Sequence, residues 1–567
     1  MRDFGTSAIG ARSLCPYSLR VYNDPGPTMN RILPLTAVLA LYATTALAAP
    51  GHDMSEVGGS GDGAHSDTTG GDATGSGGTP DDSAAPSSGK QPSVSENADS
   101  GSARGVANDD LLPEGAAPFA DQELGKTFTV TADSLPEPYT GPAARNPALT
   151  IDRGDNAPEA PDGYEVTLFA DSLINPRQMY VLPNGDVLLA QQAEGVVTFL
   201  RDTNGDGQSD LRSLFAQGFE GPYGLARVPE GKEHAGDILV ADYRGVWRVP
   251  FTLGEVRASG AAIFAPKPIT DVAEGERHAQ LPMDHFPVTE QGVFGGSEGH
   301  NTRSLVVSPD GETMYVGVGS ASNIGTDAPP RATIQAFDID GGNQRTHADG
   351  TRNPVGLAFR PGTDELWAIV MERDGMGDEL VPDFLARIEE GDFYGWPYSY
   401  IGDNLRPRFA DLAPEGRIES AKVPEVLFEG HSAAIEFAFA PPEFGADYEG
   451  DVFVALKGSW NRADPTGYKV VRVPFEDGEP TGSYENFLNG FWVEGDDRAV
   501  VWGRPADIAF MPDGAMLVAD DTGGTIWHVA PSGAGTDDTQ TGSVKLPTGN
   551  DIPEPNSDGE GGDAAGQ

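Results

Sequence analysis

One arrangement of apolar and polar positions recurs along residues 161–530: an apolar run, a Pro-x-Gly or Pro-Asp-Gly turn, a second apolar run, then Asp, Gly or Ser. The clearest copies run from Met179 to Ala190, Ser304 to Gly317 and Asp507 to Asp520. Looser copies span Gly224 to Ala241, Gly356 to Val370 and Ile435 to Leu456. Each reads as two strands joined by a tight turn. Third strands follow in Gly245–Val249, Tyr468–Val473 and Thr525–Val529. Helical periodicity is almost absent between the copies. The pattern predicts an all-β domain: a six-bladed β-propeller of four-stranded antiparallel blades, in which radial repetition leaves only short, protected edges. The long intervals between the second and third copies, and between the fourth and fifth, are expected to be loops over one face of it.

The flanks read differently. Residues 49–120 and 531–567 are mostly Gly, Ser, Asp, Thr, Ala and Pro, with too little apolar surface to offset the entropy of ordering, so both predict disorder. Residues 121–160 predict an extended lead-in. Residues 29–48 read as a signal peptide, with Arg31 as the positive end, an apolar run from Ile32 to Leu47 and the small-x-small site Ala46-Leu47-Ala48. Residues 1–28 then read as a mis-called start. The single cysteine, Cys15, lies upstream of the signal, so no disulfide, haem motif or lipid-anchor thiol is expected in the mature protein. The expected location is periplasmic or secreted, without a membrane anchor.

Charge removes other classes. With 37 Lys and Arg against 87 Asp and Glu, the net charge is −50. Nucleic acid binding needs a basic face and is excluded as an expectation. Such a surface suits salt-rich water, where the screening length falls to about 3 Å at 1 M.

Some residues stand out chemically. Asp202, Asn204, Asp206 and Asp210 put oxygen ligands in a glycine-containing turn, which points to a structural calcium loop or to an Asx-rich turn. His300, in Gly299-His-Asn-Thr-Arg303, is a candidate base or a bonded loop histidine, with His278, His285, His347 and His431 as rivals. Arg352 and Asn353 stand at the entrance of the fourth copy and suit a carboxylate or ring carbonyl. Glu372 to Glu379 is a polar loop whose carbonyls could face a hard cation. Lys457 ends an apolar strand in a lysine-poor chain, and Arg504 precedes the sixth copy.

Taken in order, these segments resemble the PQQ-dependent soluble sugar dehydrogenases, closest to the sorbosone and pyranose dehydrogenase branch. The likeness rests on Asn175-Pro-Arg177, Gly299-His300 with Arg303, Val318 to Asn323, Thr351-Arg-Asn-Pro354, Glu372-Arg-Asp-Gly375, Gly391 to Pro397, Ala455 to Trp460 with Gly467 to Lys469, and Gly503-Arg504. The resemblance implies PQQ and calcium as cofactors and His300 as the base for a sugar's anomeric hydroxyl, with hydride passing to PQQ. It implies Arg352 as a catalytic and cofactor contact, with Asn353, Lys457, Arg504, Asn323 and Arg303 also at the cofactor. Backbone carbonyls around Arg373 and Asp374 would hold the catalytic calcium. A separate acceptor, a cytochrome or quinone, would take the electrons. Val355 departs from the glucose-oxidising branch, which has a polar residue there, and Arg504 is single where that branch has two arginines. Two other readings compete: a calcium-dependent lactonase or esterase on the same fold, and a non-catalytic binding propeller.

Overall fold

Six antiparallel sheets follow one another along the chain in the computed structural model, which describes residues 120–258 and 285–532. The expected signal peptide, the linker up to residue 119, the tail from residue 533 and His278 lie outside the described residues. Each of the six sequence copies forms the first hairpin of one sheet. The first strands are Pro176–Val181, Leu225–Arg227, Leu305–Val307, Asn353–Phe359, Ala434–Phe439 and Pro505–Phe510. Their partners are Val187–Gln191, Ile238–Ala241, Thr313–Val318, Leu366–Met371, Val452–Leu456 and Met516–Asp520. The three predicted third strands are present as Val246–Val249, Lys469–Val473 and Thr525–Pro531. Second strands such as Val187–Gln191 are buried throughout, which is why they read as unbroken apolar runs.

The last sheet draws a strand from far upstream. Tyr164–Ala170 pairs antiparallel with Thr525–Pro531, near the other end of the described chain. The fifth sheet has five strands rather than the four anticipated. Thr127–Phe128, from the lead-in, pairs with Tyr484–Leu488 and covers an edge that would otherwise be open.

The apolar core lies between sheets. Phe199 and Leu188 of the first meet Ile238 and Trp247 of the second. Leu239 and Val246 of the second meet Met314 and Val316 of the third. Ile334 of the third meets Ala368 and Val370 of the fourth, and one cluster joins the fourth, fifth and sixth. Leu517 and Ile526 of the sixth meet Leu189 of the first. First strands also touch across sheets: the Met179 N–H donates to Asp507, the Leu225 N–H to Gln178, and the Gly224 N–H to the Arg303 carbonyl.

All six first strands therefore start at one common end, which second strands reach as they finish. Third strands exit at the opposite end. The long connections follow from this parity. Residues 389–425 leave from the opposite end, after Pro382–Ile388, climb the flank of sheets three and four, and reach the end where first strands begin, where Arg406 donates to Glu372. The Gly391 N–H donates to the His347 carbonyl on the way. Residues 250–258 likewise follow a third strand, and His300, later in the same interval, lies at the end where first strands begin. Length alone did not reveal which end a loop leaves from; strand parity does.

Candidate functional site

Every site residue drawn from the motifs, except the Asp202 loop, lies at the end where first strands begin. His300 and Arg303 precede the third sheet, and Arg352 and Asn353 open the fourth. Lys457 follows the second strand of the fifth, and Arg504 precedes the sixth.

His300 is buried, at 5% exposure. Its Nδ1 lies 3.1 Å from the Ser320 carbonyl and 2.9 Å from Ser320 Oγ. The carbonyl can only accept, so Nδ1 carries a proton and donates it there. Arg303 is fully buried and donates to the carbonyls of His300, Thr302 and Gly296, so these bonds brace the histidine loop. Burial, with Arg331 beside it, lowers the Arg303 guanidinium to about 9. Gly319 lies between the histidine and the fourth sheet. A Cβ there would stand 2.4 Å from Asn353 Oδ1 and 2.5 Å from His300 Cβ, so only glycine lets the two approach. The rival imidazoles His285 and His347 pack on Phe219 and Tyr315.

A second group surrounds Arg352. Its guanidinium donates to Asn323 Oδ1 at 2.9 Å and to the Glu372 carbonyl at 2.8 Å, and lies 3.8 Å from Asp374. The Ser320 N–H donates to the Arg352 carbonyl, tying this group to His300. The Arg373 carbonyl accepts from the Val381 N–H, and the Asp374 carbonyl from Asn323 Nδ2 at 3.3 Å. Asp374 Oδ1 takes a 2.7 Å bond from Asn461 and lies 3.3 Å from His431. Burial opposes charging of His431, but Asp374 outweighs it and raises the imidazole above its ordinary value.

The third group is ionic. Asp521 pairs with Lys457 at 2.7 Å and with Arg177 at 2.8 Å. Arg504 donates to the carbonyls of Lys457 and Gly458 at 2.9 and 2.8 Å. Burial, with Arg177 and Arg504 beside it, brings Lys457 down to about 8 despite Asp521. Burial pushes Asp521 up, but Lys457, Arg177 and Arg504 overcome that and hold it at about 2. Two cations thus share one carboxylate, with a third beside them. Asn461, four residues after Lys457, links this group to the Arg352 group through Asp374.

The motifs did not assign roles to Arg177, Asp521 or Asn461, and named His431 only as a rival base. Arg177 was visible only as part of Asn-Pro-Arg at a strand entrance. Asp521 carried no signal, because its partners are remote in sequence.

The Asp202 loop sits at the opposite end, after Val196–Arg201. Asp202 accepts from the N–H groups of Asn204, Gly205 and Gly207, and Asp210 from Thr203. Asp206 takes bonds from Gln208 and Asn204. These are Asx turns. Among the described residues, no three His, Cys, Asp or Glu side chains gather as a metal cluster. No helix among them is long and apolar enough to cross a membrane.

A TrAA12-like family model matches residues 416–532. An uncharacterized protein of Borreliella burgdorferi is 29% identical over 235 residues, 41% of this chain and 61% of that protein. A pyrroloquinoline quinone-dependent pyranose dehydrogenase of Coprinopsis cinerea is 24% identical over 364 residues, 55% of this chain and 44% of that enzyme. The chain thus spans less than two thirds of either relative. Among solved structures, the Trichoderma reesei family AA12 enzyme superposes with a TM-score of 0.53 at 19% identity, over 69% of this chain and 99% of its own. The holo PQQ domain of the Coprinopsis cinerea pyranose dehydrogenase gives 0.50 at 20%, over 66% and 97%. These two likenesses are of fold. With the sequence matches they bear out the resemblance read from the motifs: the chain is similar to the PQQ-dependent soluble sugar dehydrogenases.

Proposed function

We propose that the chain is a six-bladed propeller that oxidises the anomeric carbon of an aldose or related sugar, or the aldehyde of an osone, using PQQ and calcium. The cyclic order of sheet packing and the pairing of Tyr164–Ala170 with Thr525–Pro531 support six blades closed on themselves. The observation that carries the function is the pairing of Arg177 and Lys457 with one carboxylate, Asp521, with Arg504 held beside them on the Lys457 and Gly458 carbonyls. In a chain of net charge −50, that local excess of positive charge suits an anionic cofactor. It favours this reading over a lactonase, which would gather acidic side chains on its metal.

Lys457 and Arg504 would then hold cofactor carboxylates, and Arg352 and Asn353 its ring carbonyls. Asn323 orients Arg352. The carbonyls of Arg373 and Asp374 would face the cation. When bound, PQQ supplies the carbonyl that accepts hydride, and calcium the Lewis acid that polarises it. His300 takes the proton of the anomeric hydroxyl on Nε2, its ring fixed through Nδ1 by Ser320. The sugar loses that proton and the C1 hydride and leaves as a lactone. A separate cytochrome or quinone takes the electrons, and the protein works in the periplasm or outside the cell.

The test is reconstitution of the purified chain with PQQ and calcium, followed by dye reduction with a panel of aldoses and osones. Turnover that requires both additions supports the proposal. PQQ-independent turnover, or none on any sugar, overturns it.

A further inference from the structure

Behind the strand entrances lies a second polar level that the proposed chemistry does not use. In each sheet, one residue stands five places before the turn proline. The prolines are Pro183, Pro229, Pro309, Pro361, Pro441 and Pro512, so the six residues are Gln178, Gly224, Ser304, Gly356, Glu436 and Asp507. They occupy equivalent places on the six first strands. Neighbouring strands are joined there by bonds already partly described: Gln178 Oε1 accepts from the Leu225 N–H at 2.7 Å, Asp507 Oδ2 from the Met179 N–H at 2.5 Å.

Glu436 breaks the pattern. It reaches into the space that Gly356 leaves, where a Cβ would stand 2.3 Å from Glu436 Oε1. That oxygen takes a 3.3 Å bond from the Phe437 N–H, while Oε2 is buried with no hydrogen-bond partner. Glu436 and Asp507 are 3% and 2% exposed, and neither forms an ion pair with a basic side chain. Burial raises both carboxyls well above their ordinary values, and Asp507 adds to the effect on Glu436. Two uncompensated carboxylates at one level are costly unless a proton or a cation accompanies them.

Tyr223 supplies an independent observation. It precedes Gly224, is fully buried, and its hydroxyl has no hydrogen-bond partner. Burial raises the hydroxyl well above its ordinary value, and Glu436, Asp507 and Asp521 add to that, so it lies near these carboxylates. Glu436 and Asp507 stand at equivalent places on neighbouring first strands, and the unpartnered Tyr223 hydroxyl lies within their field. A proton would relieve the charge of one carboxylate only. A hard cation satisfies all three, because calcium accepts oxygen ligands in irregular arrangements and completes its shell with carbonyls or water.

We propose that Glu436, Asp507 and the Tyr223 hydroxyl hold a calcium ion among the first strands, clamping sheets two, five and six together. This site is distinct from the carbonyls of Arg373 and Asp374 and does not depend on the proposed oxidation. Its two carboxylates bind in the absence of PQQ.

The experiment uses the full chain without PQQ, dialysed against resin-treated buffer. Calcium per chain is measured by elemental analysis, and affinity by titration with calcium chloride and with terbium, whose emission tyrosine sensitises. The wild type should retain one calcium more per chain than Glu436→Gln or Asp507→Asn, and Asp206→Asn should keep that ion. Calcium should raise the melting temperature of the wild type more than that of either ring variant, since an ion bound only by the native state stabilises it. Tyr223→Phe should bind calcium about tenfold more weakly, the effect of about 1.4 kcal/mol, and should lose part of the terbium emission. Equal calcium content in the wild type and both carboxylate variants overturns the proposal. If either carboxylate variant fails to fold, Tyr223→Phe decides: unchanged affinity and emission overturn it, weakened binding supports it.

Discussion

Lys457 Nζ lies 2.7 Å from Asp521 Oδ2, and Arg177 Nη1 reaches the same oxygen at 2.8 Å. The three side chains come from the fifth, sixth and first sheets, so this single carboxylate joins distant parts of the chain. It also stands where a bound anion would compete for the same cations.

Asp521→Asn should therefore do two things. It should destabilise the PQQ-free chain by about 3–5 kcal/mol, the usual cost of stranding buried charge. Added PQQ should then raise the melting temperature of the variant more than that of the wild type, because its carboxylates replace the missing charge. Melting curves with and without PQQ check this; a variant indifferent to PQQ would remove Lys457 and Arg177 from the cofactor site.

His300→Ala should lower turnover by about 10²–10⁴-fold, the range for losing a general base. PQQ binding, followed by its absorbance, should stay near wild type. Lys457→Ala should show the converse, with PQQ binding weakened by about 1.5–3 kcal/mol. Wild-type turnover in His300→Ala on every sugar oxidised would end its role as base.

Gly319→Ala tests positioning without removing any functional group. The new methyl collides with both Asn353 and His300. Turnover should fall while the circular dichroism spectrum and calcium content stay unchanged. Full activity would show that the close approach is not needed.

Neighbouring aspartates should leave opposite marks on acid stability. Burial raises Asp520 to about 6, against bonds from the N–H groups of Arg504, Gly523 and Thr522. Its contribution is present below the ordinary value near 3.8 and is lost as pH rises through about 6. Asp521 is held at about 2, so its contribution is present above 3.8 and lost as pH falls through about 2. Denaturant unfolding at a series of pH values should show Asp520→Asn altering the slope between about 4 and 6, and Asp521→Asn altering it below about 4. Interchanged windows would contradict the two environments.

Mild chelation of the PQQ-loaded enzyme should abolish sugar oxidation with little change in fold, and calcium should restore it. The proposed carbonyl site lacks carboxylate ligands of its own, so it should release its ion before the Glu436 site does. Activity and melting temperature, read on the same samples across a chelator series, should fall at different chelator concentrations. Activity that persists after complete calcium removal would rule out the metal-assisted reaction.

The sequence determined the strands. Hairpins such as Met179 to Ala190 were legible because their runs are local, and a buried strand needs little beyond apolar residues and a turn. It also set His300, Arg352 and Arg504 at strand entrances, since a residue's place relative to its own strand is a local matter. Tertiary structure decided what sequence distance concealed. Thr127–Phe128 joined the fifth sheet because Tyr484–Leu488 offered an open edge 350 residues away. Residues 389–425 left from the end opposite the site because they follow a third strand, and came back to it where Arg406 met Glu372. Asp521 became the counter-ion of Lys457 and Arg177, and Glu436 met Asp507 and Tyr223, only when six separate first strands were brought side by side. Charge and hydrogen bonding act over a few ångströms in space, and no local pattern records which distant residues will share them.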